Sequence, residues 1–291
     1  MNLDNVRMRD PFVLPVRADS LYYLYCNAIQ DHKPVGFDVY TSRDLLEWSE
    51  PRPVFRKSVD FWADQDFWAP EVHYYAGSYY LFASFKAAGL CRGTQIMCSD
   101  LPGGPFTPIS AGPVTPRDWE CLDGTLFVDV HRVPWIVFCH EWVQVKDGEM
   151  CAMPLSPDLS RPIGAPLLLF RASEAVWVTR GPWEGNWVTD GPCLYRTSAS
   201  ILLMIWSSFT ETGYSVGIAR SSSGSIAGPW HHQAEMLYNQ DGGHGSVFRG
   251  FDGRLLLALH QPNTGSLERA YFIPLTEESD SLRLSVGRPS Q

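Results

Sequence analysis

The sequence predicts an all-β fold, a propeller of five blades in a single domain over residues 1–291, and three observations predict it. Gly (24) and Pro (22) are frequent, aromatic residues make up 13%, and no apolar stripe of three helical turns occurs. That mixture suits short strands broken by tight turns. Five apolar, aromatic-rich runs begin at residues 21, 79, 135, 201 and 255, a repeat of roughly sixty residues. After four of them a weaker motif recurs, in which a strand end and a polar turn lead to an aromatic or branched residue. These are Tyr40–Ser49, Cys98–Thr107, Met153–Ile163 and Ala219–His231. Such a unit repeated five times closes into a ring and leaves only short outer edges.

The runs, in order, are Leu21–Tyr25, Tyr79–Ala83, Trp135–Cys139, Ile201–Ile205 and Leu255–Leu259. Each is dense in branched or aromatic side chains, which fill a pleated, buried surface. A β-sandwich would need this spacing to arise by coincidence. No linker, low-complexity tract or charge run divides the chain. Residues 177–187 form an irregular, Gly- and Trp-rich stretch of the kind that builds sites more often than cores.

Charge and composition narrow the partners. Lys plus Arg (23) against Asp plus Glu (32) gives a net charge of −9, which repels nucleic acid and anionic membrane. No apolar run reaches the length of a membrane-spanning helix. The opening residues lack the apolar segment of a secretory signal, so a cytoplasmic location is expected. Seven cysteines, none in a CxxC pair, read as small buried hydrophobes in a reducing compartment.

In a propeller, inner-strand starts and second-strand ends converge on one funnel. The repeat places Asp10, Trp68 to Glu71, Asp123, Asp190 and His244 at inner starts. It places Asn27, Ser84, Phe85, His140, Glu141, Trp206, Ser207, His260 and Gln261 at returning ends. An Asp before Gly or Pro is commonly a turn former, but three in register with a fivefold repeat point to a site. Carboxylates crowded into one apolar-walled mouth must spread their pKa values, which supplies paired acid and base. Phe12, Trp68, Phe85, Trp142 and Trp206 are the expected aromatic walls for a flat sugar ring.

Arg9-Asp10-Pro11, Trp68-Ala69-Pro70-Glu71, Asp123 to Phe127 with Asp129, Asp190-Gly191-Pro192 with Leu194-Tyr195, and Gly243 to Phe248 occur in that order. Together they resemble glycoside hydrolase family 43, the five-bladed-propeller glycosidases. The resemblance implies inverting hydrolysis, with base and acid about 6.5–9.5 Å apart. Asp10 would be the general base and Asp123 the third carboxylate, which positions the acid and raises its pKa. The general acid is where the chain departs, since the family has Glu where Asp190 stands. Asp190, Glu141 and Glu184 all remain open for that role. Arg269 resembles the family arginine that holds sugar hydroxyls. His244 resembles the axial histidine that lies near Ca²⁺ or water in many members. A single imidazole is a poor calcium ligand, so any ion there would be structural and no cofactor is required.

The resulting expectation is an exo-acting inverting glycosidase that removes terminal α-L-arabinofuranosyl or β-D-xylosyl residues from plant cell-wall carbohydrate. The alternatives are a galactan- or endo-arabinan-active member of the same family, or a sugar-binding propeller without turnover. Fructan-cleaving propellers also carry an Arg-Asp-Pro, but their N-terminal Asn-Asp-Pro-Asn stretch is missing here. No Gly-His…Trp-Asp pair recurs to indicate a WD-type scaffold.

Overall fold

The five aromatic runs form the second strands of five four-stranded antiparallel sheets. The computed structural model describes residues 1–30, 33–182 and 185–285. Blade one is β1 (Phe12–Val16), β2 (Leu21–Gln30), β3 (Lys33–Ser42) and β4 (Arg52–Arg56), and blade two is β5 (Gln65–Tyr75), β6 (Ser78–Lys86), β7 (Gly93–Ser99) and β8 (Thr107–Pro108). Blade three is β9 (Cys121–Val128), β10 (Pro134–His140), β11 (Glu149–Pro154) and β12 (Leu167–Arg171), with the single-turn helix α1 (Trp142–Val145) between its second and third strands. Blade four is β13 (Asp190–Arg196), β14 (Leu202–Thr210), β15 (Gly213–Ser221) and β16 (Trp230–His232). Blade five is β17 (Gly243–Arg249), β18 (Leu255–Gln261), β19 (Arg269–Glu277) and β20 (Leu282–Leu284). The weaker motif falls on the turns after the third strands of blades one to four.

The second strands read as continuous apolar runs because both faces of each sheet are covered by neighbouring blades. In β14, residues Leu202 to Ser208 are all buried. Five buried clusters follow, one at each blade interface. Phe37, Phe67 and Phe85 lie between blades one and two, and Phe82, Ile96 and Phe138 between two and three. Phe170 and Trp206 lie between three and four, Ile218 and Leu257 between four and five, and Leu24 and Leu256 between five and one.

The inner strands close the ring, since β1 touches β5, β5 touches β9, β9 touches β13, β13 touches β17, and β17 touches β1. Among the described residues, no strand is exchanged between the first and last blades. Instead residues 1–9 fold over blade five. Leu3 and Met8 are buried against it, and the Met8 amide donates to the Glu268 carbonyl at 3.0 Å. The Glu268 carboxylate, almost fully buried, receives Arg7 and Arg9, each at 2.8 Å.

One backbone device recurs in, or just before, the first half of every inner strand. Asp10, Ala69, Asp123, Gly191 and His244 have φ of 52°, 45°, 54°, 52° and 54°, in the left-handed region. Ladder registers are interrupted beside four of the five: between Trp68 and Glu71, between Val137 and Cys139 opposite Asp123, between Asp190 and Cys193, and between Gly243 and Ser246. A bulge of this kind re-aims one side chain and ends the pairing, here where the strands converge. The equivalence also corrects the expected register. Gly191, not Asp190, is the counterpart of Asp10 and Asp123, and Asp190 stands one residue earlier.

Candidate active site

The axial positions gather the charged residues. Asp10 and Asp123 are both more than nine-tenths buried, and His244 lies between them. Its Nδ1 is 3.2 Å from Asp10 Oδ1 and 3.6 Å from Asp123 Oδ2. The imidazole fits there because Gly191 has no side chain, since a β-carbon on it would lie 2.9 Å from His244 Cγ. The amide of His244 donates to Ser207 Oγ at 2.8 Å, and that of Asp123 donates to Ser84 Oγ at 2.9 Å. These hydroxyls, at second-strand ends, hold the bulged backbone that ladder bonds no longer hold.

Asp190 joins the cluster through its neighbour. The Gly191 amide donates to Asp123 Oδ2 at 3.0 Å, while Asp190 Oδ2 accepts from the Tyr214 hydroxyl at 2.9 Å. Behind Asp10, the fully buried His260 accepts the Asp10 amide at Nδ1, at 3.3 Å. Its Nε2 is 3.2 Å from Asn263 Oδ1, which also receives Arg9 at 2.7 Å. Since Arg only donates, that oxygen is the acceptor and Nε2 carries the proton.

These surroundings split the carboxyl groups. Burial works against charge on Asp10, but His244 and Arg9 outweigh it and hold the group well below the usual carboxylate range. Burial raises Asp123, the adjacent Asp10 carboxylate adds to the rise, and the group is pushed up to about 8. Burial and the Asp123 carboxylate push Asp190 up to about 7. One carboxylate is therefore ionised across the range in which its neighbours keep a proton, which equips the site for paired base and acid.

Glu141 reaches the same funnel from the end of β10, and burial pushes it to about 7 despite the adjacent Arg92. One of its oxygens is taken by Arg92, which also binds Asp66 at 2.9 Å and lies 4.2 Å from the Trp68 ring centroid. Trp68 thus stands at the funnel with one face covered by a guanidinium. Phe12 is half-buried against the His73 ring, with centroids 5.3 Å apart. Trp142 begins α1, half-buried at the rim.

Three expectations change. Phe85 and Trp206 are completely buried, Phe85 edge-on to Phe67 and Phe37, and Trp206 against Phe170 and Trp177. Both pack blade interfaces and offer no face to a sugar, because alternate side chains of a second strand turn into the neighbouring blade. Arg269 donates to the carbonyls of Asp4, Ser266 and Glu268, so its guanidinium ties the N-terminal arm to blade five. Glu184 lies outside the described residues. Around His244 the side chains offer two carboxylates, Asp10 and Asp123, both turned toward its Nδ1. Among the described residues no group of three or more His, Cys, Asp or Glu is arranged to hold a metal; a calcium cage takes six to eight oxygens.

Tyr214, Arg92 and Glu268 carry no functional signal in the sequence. Tyr214 follows a tight turn with no motif, and ordinary-looking charged residues acquire partners only through the ring. Arg9 was visible beside Asp10, yet its link to Asn263 and Glu268 spans the whole chain length.

Comparisons with known proteins agree with this geometry. The solved structure of an endo-arabinase from Bacteroides thetaiotaomicron is 43% identical and covers 96% of this chain and 97% of its own, with a TM-score of 0.90. The extracellular endo-α-(1→5)-L-arabinanase 1 of Bacillus subtilis is 22% identical over 53% of this chain and 49% of its own. The extracellular exo-α-(1→5)-L-arabinofuranosidase ArbA of Cellvibrio japonicus is 26% identical over 54% and 46%. The chain thus spans about half the length of the curated relatives it matches. The model of glycosyl hydrolases family 43 matches residues 4–277, from the arm that closes the ring to the end of β19, and the chain belongs to that family.

Proposed function

We propose that the chain hydrolyses α-L-arabinofuranosyl linkages of arabinan with inversion, cutting within the polymer. The observation that carries the chemistry is the axial grouping itself: Asp10 lies buried beside His244 and Arg9, while Asp190 is bound by Tyr214 and linked through the Gly191 amide to Asp123, surroundings that favour charge on Asp10 and a proton on Asp190. In this reading Asp10 takes a proton from water as the water oxygen attacks the anomeric carbon. Asp190 gives its proton to the departing glycosidic oxygen as that carbon–oxygen bond breaks. Asp123, fixed by the Gly191 amide, shares the buried axial pocket with Asp190, and ionising both together is unfavourable, which helps the donor keep its proton. Asp190 suits the acid role better than Glu141, one of whose oxygens is occupied by Arg92. Similarity at 43% identity, over nearly the whole of both chains, to the solved endo-arabinase of Bacteroides thetaiotaomicron supports the substrate class and the internal mode.

Release of terminal arabinofuranosyl or xylosyl units is the second reading. The described residues of the connection between β12 and β13 favour it, because they are tied to the backbone just after α1 and at the end of β14. The Gly148 amide donates to the Trp187 carbonyl, and the Trp187 and Thr179 amides donate to the Lys146 and Phe209 carbonyls, all at 2.9 Å. A wall there can close one end of a cleft. The test is incubation with linear arabino-oligosaccharides and with p-nitrophenyl arabinofuranoside, xyloside and galactoside, reading the first-formed anomer by proton NMR. Internal cutting yields mixed oligomers of inverted configuration, whereas arabinose alone would favour the terminal mode. A retained anomer, or binding without release, would overturn the mechanism. Asp10→Asn is expected to lower kcat at least about a thousandfold while binding persists.

A further inference from the structure

We propose that Tyr214 is a positioning residue that adapts Asp190, a side chain shorter than Glu, to work as the proton donor. The proposal deepens the reading of Asp190 as the general acid and rests on it. Tyr214 lies on β15, the third strand of blade four, and is almost completely buried. Its hydroxyl donates to Asp190 Oδ2 at 2.9 Å. Its ring lies nearly parallel to that of His260, with centroids 5.7 Å apart, and its amide donates to Asp241 Oδ1 at 3.2 Å. The space it fills exists because Gly243 has no side chain. A β-carbon there would stand 2.3 Å from Tyr214 Cε1. Gly243 is the blade-five counterpart of Asp190, each immediately before the left-handed residue of its inner strand. The empty position in one blade thus admits the phenol that serves the occupied position in the next.

The chemistry follows from what each group can donate. Burial, with the Asp190 carboxylate, keeps the Tyr214 hydroxyl well above its ordinary pKa, so it stays a donor and does not supply the catalytic proton. A hydroxyl donating to Oδ2 leaves the acid proton on Oδ1, which is then the oxygen that faces the departing group. After transfer, the same hydrogen bond stabilises the carboxylate that forms. A Glu reaches further and can choose among rotamers; Asp190, one methylene shorter, gains its fixed orientation from the phenol.

The test compares Tyr214→Phe with the unmodified protein on arabino-oligosaccharides and on an arabinoside with a good leaving group. Losing the hydrogen bond should raise the acid's pKa, so the alkaline limb of kcat/KM moves upward by roughly half to one pH unit. Turnover of oligosaccharides should fall about tenfold or more, and turnover of the activated arabinoside much less. Gly243→Ala, which crowds the phenol without removing it, should weaken oligosaccharide turnover in the same selective way. Melting curves establish that both variants are folded. An unmoved limb together with equal losses on both substrates would reduce Tyr214 to a packing residue and overturn the proposal. Asp190→Asn separates this from failure of the acid assignment. If it leaves oligosaccharide hydrolysis intact, Asp190 is not the donor; if it abolishes only that activity while Tyr214→Phe changes nothing, the donor stands and the phenol's role falls.

Discussion

Asp10 and Asp123 share one imidazole neighbour yet hold their protons oppositely, because Arg9 stands beside Asp10 while Asp123 faces another carboxylate. The consequence at this scale is a one-sided pH profile. With Asp10 ionised well below the usual range, no limb due to the base appears between about pH 4 and 7. With Asp190 as donor, kcat/KM falls tenfold per unit above about pH 7. Rate measurements from pH 4 to 9 check this, and a limb near pH 5 that disappears in Asp10→Glu would contradict it. Asp10, Asp123 and Asp190 were legible as a site because each stands beside a Gly or Pro at a repeat start. Phe85 and Trp206 were not legible as core, since a strand's apolar run does not say which faces are covered.

The bulge that opens each inner strand is the element that turns a repeat into a cluster. Left-handed φ values are strained for any residue with a β-carbon, so Asp10, Asp123 and His244 hold this conformation only because neighbouring hydroxyls and ladders impose it. Gly191 is the position where strain and space act together. Gly191→Ala meets both a φ of 52° and the His244 ring at 2.9 Å. It is expected to lower stability by about 1–3 kcal/mol and to reduce activity by displacing His244 from between the two carboxylates. Urea unfolding and kcat measured on one preparation check it, and unchanged values in both would show that the ring yields freely. The Asp-Gly-Pro triplet displayed its turn, yet a one-residue offset between Asp190 and the true counterpart Gly191 became visible only with the dihedral angles.

Ring closure operates across the whole chain, where, among the described residues, blade five meets blade one without sharing a strand. The buried carboxylate of Glu268 carries that joint with Arg7 and Arg9, both themselves partly in solvent. Glu268→Ala is expected to lower the melting temperature by several degrees, equivalent to about 1–3 kcal/mol after allowing for the exposure of its partners. It should also slow catalysis, because Arg9 is the link from this joint to Asp10; a loss of stability with unaltered kcat would separate the two. Stability should depend on pH in a specific direction. Asp123, Asp190 and Glu141 are raised to about 8, 7 and 7, so the folded protein binds protons that the unfolded chain has released. Their contribution therefore weakens as pH climbs from about 5 to 8 and recovers on acidification. Asp10, depressed, contributes above the ordinary carboxylate range and loses that contribution as pH falls below about 4. A melting temperature that peaks between about pH 4 and 6 is the expected result; one that rises steadily from pH 5 to 8 would contradict it.

By itself the chain order of apolar runs and turns determined five blades, a common funnel and the carboxylates that stand there. Strand periodicity and the preferences of Gly, Pro and Asp are local properties and survive in the order of residues. Only the folded ring decided which aromatics are core, which residue is the axial counterpart in each blade, and which carboxyl keeps its proton. Those outcomes depend on groups far apart in the chain, such as Tyr214 beside Asp190 and Glu268 behind Arg9. Burial and charge act through space, and no spacing in the sequence records them.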